Sequence, residues 1–248
     1  MGTNTRVFDR VMIRATDREA AERFYGIVLR TLGVEQTSTD ARDARWGDFI
    51  IRHADDRSPP TRGLHIGFTA PTRGRVDEFW RAGTSAGYRD DGAPGLRPQY
   101  GPDYYGGFLL DPEGNSAEAV HHDLVDDRGL VDHLWIRVAD VAAAKRFYVA
   151  VAPYAGFRLN DDTPERAQFV GTSGSFSLVS GTPSEHVYMS FAADDDEAID
   201  AFHDTLAEAG RGDAESPAER VGEHGRAYAA VVLDPDGNSV ELVRHGAA

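Results

Sequence analysis

The second half of this sequence repeats the first at a constant offset of 123 residues. The strongest block is Asp-Pro-x-Gly-Asn-Ser-x-Glu, which runs from Asp111 to Glu118 and again from Asp234 to Glu241. The pair Phe24-Tyr25 likewise recurs as Phe147-Tyr148. A repeat of this length predicts two copies of one structural module in the chain.

The repeat sets the expected domain boundaries at residues 1–123 and 130–248, with the seam in the polar stretch 122–129. Each module divides again into two units that open with an alternating strand and an amphipathic helix. In the first unit, Asp17 is placed to cap such a helix and Gly33 to close it. We therefore predict an α+β fold with four strand–helix–strands units.

Composition excludes several classes of function. The chain has 41 acidic and 26 basic residues and no cysteine, so Cys-ligated metals and thiol chemistry are excluded. The net charge of −15 disfavours binding to nucleic acid. No apolar run approaches membrane length and no leader segment is evident. We expect a cytoplasmic protein whose partner is a small-molecule substrate or ligand, without nucleic acid or membrane; a homodimer is compatible with this.

Paired units that end in Asp-Pro-x-Gly-Asn-x-x-Glu resemble the vicinal oxygen chelate superfamily, which includes glyoxalase I, extradiol dioxygenases, and bleomycin and fosfomycin resistance proteins. The resemblance covers nearly the whole chain. It implies two tandem modules in which paired βαβββ units form cup-shaped mixed sheets. It also implies that up to four inward side chains hold a divalent metal, with Fe, Zn, Mn and Ni all open, and that neighbouring substrate oxygens chelate this metal. The reaction is not implied, because the superfamily contains isomerases, dioxygenases, transferases and pure binding proteins.

Strand alternation indicates, independently of the family, which side chains point into a cup. His133 shares a strand face with Trp135, opposite an aliphatic face that would pack on a helix. His65 lies similarly at the start of the second unit. Glu118 and Glu241 each lie between small or apolar neighbours, and an inward carboxylate needs a cation.

Pairing of the second and third units would bring together His65, Glu118 and His133, a complete 2-His-1-carboxylate set. The remaining units would then contribute Arg10 and Tyr188 to a cup in which an ion pair with the second glutamate replaces the metal.

Pairing within each module is the alternative. The second module would then offer His133, His186 and Glu241, although His186 is out of register with the repeat. The linkers are of similar length and do not decide between the schemes. The complete ligand set mildly favours the first, and both require His133.

Other side chains near the predicted cups are candidates for substrate binding. They are Arg10, Tyr188, Trp135, Tyr105, Tyr228, Arg97 and Tyr100. The last two lie in a stretch rich in proline and glycine, residues 92–103, for which we predict an irregular excursion that is either a lid or a connector.

Two classes of function remain. A metal enzyme would act on a small substrate with vicinal oxygens, by dioxygenase or by lyase or isomerase chemistry. A metal-free protein would instead bind or sequester a small, antibiotic-like molecule. No catalytic acid or base is assigned from the sequence.

Overall fold

The computed structural model describes residues 7–122, 129–207, 215–222 and 225–246. Within these residues the protein is α+β, with four helices and two eight-stranded mixed sheets, as predicted. Most of the predicted seam, residues 123–128, lies outside the described residues. No helix in the described part of the chain has the length and apolarity needed to cross a membrane.

The first module contains two units of one helix each. The elements are β1 (Arg10–Ala15), α1 (Arg18–Thr31), β2 (Ser38–Thr39), β3 (Asp43–Trp46), β4 (Phe49–His53), β5 (His65–Thr69), α2 (Arg73–Ser85), β6 (Asp90–Leu96), β7 (Tyr105–Leu110) and β8 (Ser116–His121).

The second module repeats this order. The elements are β9 (Val131–Val138), α3 (Val141–Ala155), β10 (Arg158–Asp162), β11 (Arg166–Val170), β12 (Ser175–Ser180), β13 (Tyr188–Ala192), α4 (Asp196–Ala207), β14 (Glu215–Gly222), β15 (Gly225–Leu233) and β16 (Ser239–His245).

Each sheet takes one unit from each module. The second and third units form one sheet, in which β5 and β9 pair antiparallel at the centre. The first and fourth units form the other, in which β1 pairs with β13. This is the cross-module pairing that the complete ligand set favoured. We call the face of each sheet turned away from its helices the 2–3 cup and the 1–4 cup.

The repeated Asp-Pro-x-Gly-Asn block links a turn to a helix in each module. Asp111 accepts backbone hydrogen bonds from the turn that follows it, and the buried Tyr25 hydroxyl donates to it at 3.0 Å. In the second module Tyr148 donates to Asp234 at the same distance. Because each tyrosine lies on the first helix of its module, this contact joins that helix to the turn before the last strand.

Aromatic side chains fill the space between helices and sheets. Phe24, Tyr25, Phe49 and Phe68 are fully buried in the first module, and equivalent rings fill the second. The prediction of an irregular stretch over 92–103 is wrong for its first part. Residues 92–96 belong to β6, which pairs with β7 through two register shifts. The glycines and the proline of this segment produce an irregular strand rather than a free loop.

Candidate metal centre

Three adjacent strands of the 2–3 sheet bring His65, Glu118 and His133 together. His65 Nε2 lies 3.0 Å from Glu118 Oε2 and 3.3 Å from His133 Nε2. His133 Nε2 lies 3.3 Å from the same carboxylate oxygen. Glu118 and His133 are buried, and His65 is half-buried. Among the residues that the structure describes, this is the one cluster of three or more such side chains able to hold a metal ion.

Two glycines make room for the ligands. Gly67 pairs with Glu118 on one side and His133 on the other. A Cβ at Gly67 would lie 2.2 Å from His133 Cε1, and a Cβ at Gly106 would lie 2.2 Å from Glu118 Oε1. The imidazole and the carboxylate therefore occupy space that any other residue at these two positions would fill.

Neighbouring side chains orient the ring of His133. The Nδ1–H of His133 donates to Asp132 Oδ1 at 3.0 Å, and the other oxygen of Asp132 lies 3.0 Å from His122 Nε2. A carboxylate on the far nitrogen of an imidazole fixes the tautomer that a metal ligand needs. The arrangement therefore directs Nε2 toward the cluster.

His65 and Glu118 are held in a comparable way. Ser116 Oγ donates to Asp91 Oδ2 at 2.7 Å, so it accepts from His65 Nδ1 at 3.0 Å. The Tyr104 hydroxyl donates to Glu118 Oε1 at 2.9 Å. This leaves the second oxygen of Glu118 facing the two imidazoles.

The metal-free cluster is a buried ion pair. Burial by itself would lower the pKa of His133, but hydrogen bonds with Asp132 and Glu118 outweigh it and raise this pKa to about 10. Burial likewise opposes ionisation of Glu118, but its hydrogen bonds with His133 and His65 hold its pKa at about 2. A cation that enters must therefore displace the proton of His133.

The donor set and its spacing fit a divalent metal. Bonds of about 2.1 Å place neighbouring ligand atoms roughly 3.0–3.4 Å apart, which is the spacing of these three atoms. Two imidazoles and one carboxylate form the set used by non-haem iron oxygenases, which leaves other coordination positions open. The same ligands also suit zinc, manganese and nickel.

The cluster lies in a cavity of about 240 Å³ with largely aromatic walls. The lining residues are His65, Asp91, Tyr100, Tyr104, Phe108, Ser116, Glu118, His133, Trp135, Arg137 and Val179. Arg166 stacks over the ring of Trp135 at 5.4 Å from its centroid. A cavity of about 150 Å³ holds benzene, so this one is of the size for a substituted single ring.

The structure brings only some of the predicted substrate-binding residues to this cavity. Trp135 and Tyr100 line it. The hydroxyls of Tyr105 and Tyr228 instead donate to Asp77 of α2 and Asp200 of α4, on the helix side of the sheets. The Arg97 guanidinium lies beside β6. Its Nη2 donates to the carbonyl of Ala93, and the group lies over the ring of Phe108.

The within-module ligand set is not brought together. Glu241 lies on the 1–4 sheet, away from His133 on the other sheet. His186 lies in the turn before β13 with a φ of 56°, and its carbonyl accepts from the Thr61 hydroxyl at 2.8 Å.

The 1–4 cup neutralises its glutamate with arginine. Glu241 is fully buried and accepts hydrogen bonds from Arg10 and, at 3.0 Å, from Arg220. Burial and the charge of Glu241 raise the pKa of Tyr188, so this tyrosine stays neutral. This agrees with the predicted ion pair in place of a metal.

Sequence reasoning did not identify the residues that support the ligands. Asp132 was not among the predicted site residues, although an acidic residue directly before a candidate histidine ligand was a usable signal. In the sequence, Ser116 was noted only as part of the repeated turn. The role of Gly106 depends on how β7 crosses Glu118, which the sequence does not reveal.

Comparison with known families agrees with this geometry. Residues 130–242 match the family model of the Glyoxalase/Bleomycin resistance protein/Dioxygenase superfamily. The first module repeats the second in sequence and in element order. The second module therefore matches this superfamily in sequence, and the first module repeats its element order. No curated protein matches it in sequence.

Two solved structures resemble the whole chain in fold. Glyoxalase I from Zea mays is 16% identical with a TM-score of 0.65, covering 96% of this chain and 92% of that one. A putative dioxygenase from Bacillus subtilis is 11% identical with a TM-score of 0.63, covering 97% and 86%. At these identities the similarity shows the fold alone, and it extends over both modules.

Proposed function

We propose that the protein is a metal-dependent enzyme with one active site per chain, in the 2–3 cup. Its substrate is a small aromatic compound that carries two neighbouring oxygens, and its reaction is an oxygenation of the dioxygenase type. The observation that carries the proposal is the set of His65, Glu118 and His133 in the wall of an aromatic cavity. The related dioxygenase and glyoxalase folds support it at the level of architecture.

A bound Fe(II) would supply oxygen activation and a positive charge for the substrate oxygens. The protein's own residues perform the positioning. Asp132 and Ser116 hold the two imidazoles with Nε2 toward the cavity. Tyr104 occupies one oxygen of Glu118 and stays neutral, because burial and the charge of Glu118 raise its pKa. The carboxylate is thereby kept in one orientation.

The walls select and shield the substrate. Trp135, Phe108 and Tyr100 offer ring faces and edges on which an aromatic substrate can stack. Arg137 and Asp91 lie among the lining residues and provide polar contacts for ring substituents. Exclusion of water by these rings strengthens every charge interaction at the metal.

The test is dioxygen uptake by protein reconstituted with Fe(II) without air, then supplied with a panel of catechols. We expect uptake with at least one catechol and loss of both iron and uptake in Glu118→Gln. Glu185→Gln is the matched control, since Glu185 is exposed and outside the cavity, and it retains both. Iron binding without uptake across the panel would overturn the dioxygenase assignment.

A further inference from the structure

Five arginines converge on the face of the 1–4 sheet that corresponds to the metal site. They are Arg10, Arg14, Arg45, Arg52 and Arg220. Arg14 pairs in register with Arg52, which faces Asp43 on the next strand. This concentration of positive charge stands out in a chain of net charge −15.

Four of the five arginines form ion pairs with carboxylates on this face. Arg10 and Arg220 share Glu241. Arg52 binds Asp43 through two hydrogen bonds of 2.6 and 2.7 Å, and Arg45 contacts the same aspartate at 3.2 Å.

Arg14 has no carboxylate partner among the described residues. Its Nη1 lies 3.5 Å from the carbonyl of His186, and its Nε is buried without a hydrogen bond. The guanidinium stacks over Tyr188, with its carbon 5.9 Å from the ring centroid. Burial and the nearby charge of Arg52 lower the pKa of Arg14, and the opposing contributions of Tyr188, Asp55 and Glu215 are smaller.

The surrounding arginines are within reach of a ligand. The side chains of Arg10, Arg45, Arg52 and Arg220 keep 22–37% of their surface exposed. The equivalent of Arg14 in the other cup is Arg137, whose Nη1 donates to the carbonyl of Gly63 at 2.9 Å. Among the described residues, the buried guanidinium nitrogens without a hydrogen bond are Arg14 Nε and Arg45 Nε, and both lie in the 1–4 cup.

We propose that the 1–4 cup is a binding site for a small oxyanion, either a carboxylate or a phosphate group, held by the Arg14 guanidinium. A guanidinium presents parallel N–H donors that match both anions. The neighbouring arginines add attraction. Arg10, Arg220 and Arg52 already donate to Glu241 or Asp43, whereas Arg45 Nε is a second buried nitrogen without a hydrogen bond on this face.

The test is thermal unfolding of the full chain in Tris chloride, with inorganic phosphate or malonate added at constant ionic strength. Saturating oxyanion should raise the Tm of the wild type by roughly 3–8 °C, whereas chloride should not. A rise with phosphate alone identifies a phosphate site, and a rise with malonate alone identifies a carboxylate site. No rise with either overturns the proposal.

Substitutions test whether Arg14 is the residue that binds the oxyanion. Arg14→Gln should lose the oxyanion-dependent rise and, in chloride alone, should be no less stable than the wild type, because an unpaired charge has been removed. Arg14→Lys, which keeps the charge but not the planar donors, should bind more weakly. Arg23→Gln removes an exposed arginine of α1 and should keep the full rise.

A further variant separates the two cups. His133→Ala should keep the rise, because His133 lies on the other sheet. An unchanged rise in Arg14→Gln, or its loss in His133→Ala, would place the anion elsewhere and contradict the proposal.

Discussion

The two cups are built on one plan and differ in the cation that each gives to its buried glutamate. In the 2–3 cup, Glu118 faces two imidazoles, which can release a proton and accept a metal. In the 1–4 cup, Glu241 faces Arg10 and Arg220, which remain charged and cannot bind a metal. The comparison teaches that a glutamate buried at this place in the fold needs a positively charged partner. Of the two kinds of partner, only the imidazoles of the 2–3 cup can also bind a metal.

The cups also differ in the space around the carboxylate. Gly67 and Gly106 leave room for His133 and Glu118. The repeat places Ser190 and Ala229 at the corresponding positions of the 1–4 cup. Ser190 pairs with Glu241 and Arg10 as Gly67 pairs with Glu118 and His133. The flexible arginine therefore reaches its glutamate without the gap that an imidazole ring needs.

The largest change in metal affinity should follow the loss of an imidazole from the 2–3 cup. His133→Ala or His65→Ala should lower metal affinity by more than the roughly 10–100-fold that loss of a supporting residue costs. Metal titration against a competing chelator measures this. His186→Ala is the control from the within-module scheme and should bind as the wild type does. Equal damage from His65→Ala and His186→Ala would contradict the assignment.

Removal of the Arg10 guanidinium should affect the stability of the fold rather than metal binding. Arg10→Met leaves the fully buried Glu241 with one cation and should lower the free energy of unfolding by about 3 kcal/mol. Urea unfolding measures the loss. The double variant Arg10→Met, Glu241→Met should recover most of it, because the buried carboxylate is removed as well and Arg220 keeps its ion pair with Glu215. Failure to recover would show that the pair is not the reason for the loss.

Much of this difference could be predicted from sequence. The repeat offset matches His133 with Arg10 and Glu118 with Glu241, and strand alternation places His133 and the two glutamates on cup faces. The pairing of units could not be derived, because linkers of similar length allow both schemes. It depends on which strands meet across the module boundary.

Side chains at strand ends were harder to place. Tyr104 and Tyr105 are neighbours, yet one faces the cavity and the other contacts α2. Their assignment depends on where β7 begins, and a shift of one residue reverses it. The support that Asp132 gives His133 depends on rotamers rather than on spacing in the sequence.

The space available to the ring can be tested by adding one methyl group. Gly67→Ala would place a Cβ 2.2 Å from His133 Cε1 and displace the imidazole. We expect metal affinity to fall by about 10–100-fold, as for other disturbances of ligand orientation. Ser190→Ala, the matched position in the 1–4 cup, should leave affinity unchanged. Equal affinity for Gly67→Ala and the wild type would refute the role of this glycine.

The charge of His133 also makes the metal-free fold depend on pH. The pKa of His133 is about 10 in the metal-free fold, against about 6.5 when unfolded. Its stabilising charge is therefore fully present below pH 6.5 and is lost as the pH rises toward 10. Metal-free protein should lose stability over this range, and metal affinity should rise by up to about tenfold per pH unit. Unfolding and metal titrations at several pH values measure both trends, and a flat affinity would contradict them.

The most direct test of the difference between the cups is the number of metal ions per chain. Elemental analysis after reconstitution with Fe(II), Zn(II), Mn(II) or Ni(II) and removal of free metal should give one ion per chain for at least one metal. That ion should be absent from His133→Ala and retained in Arg10→Met. Two ions per chain would show that the 1–4 cup also binds metal, and none with any of the four metals would contradict the metal centre itself.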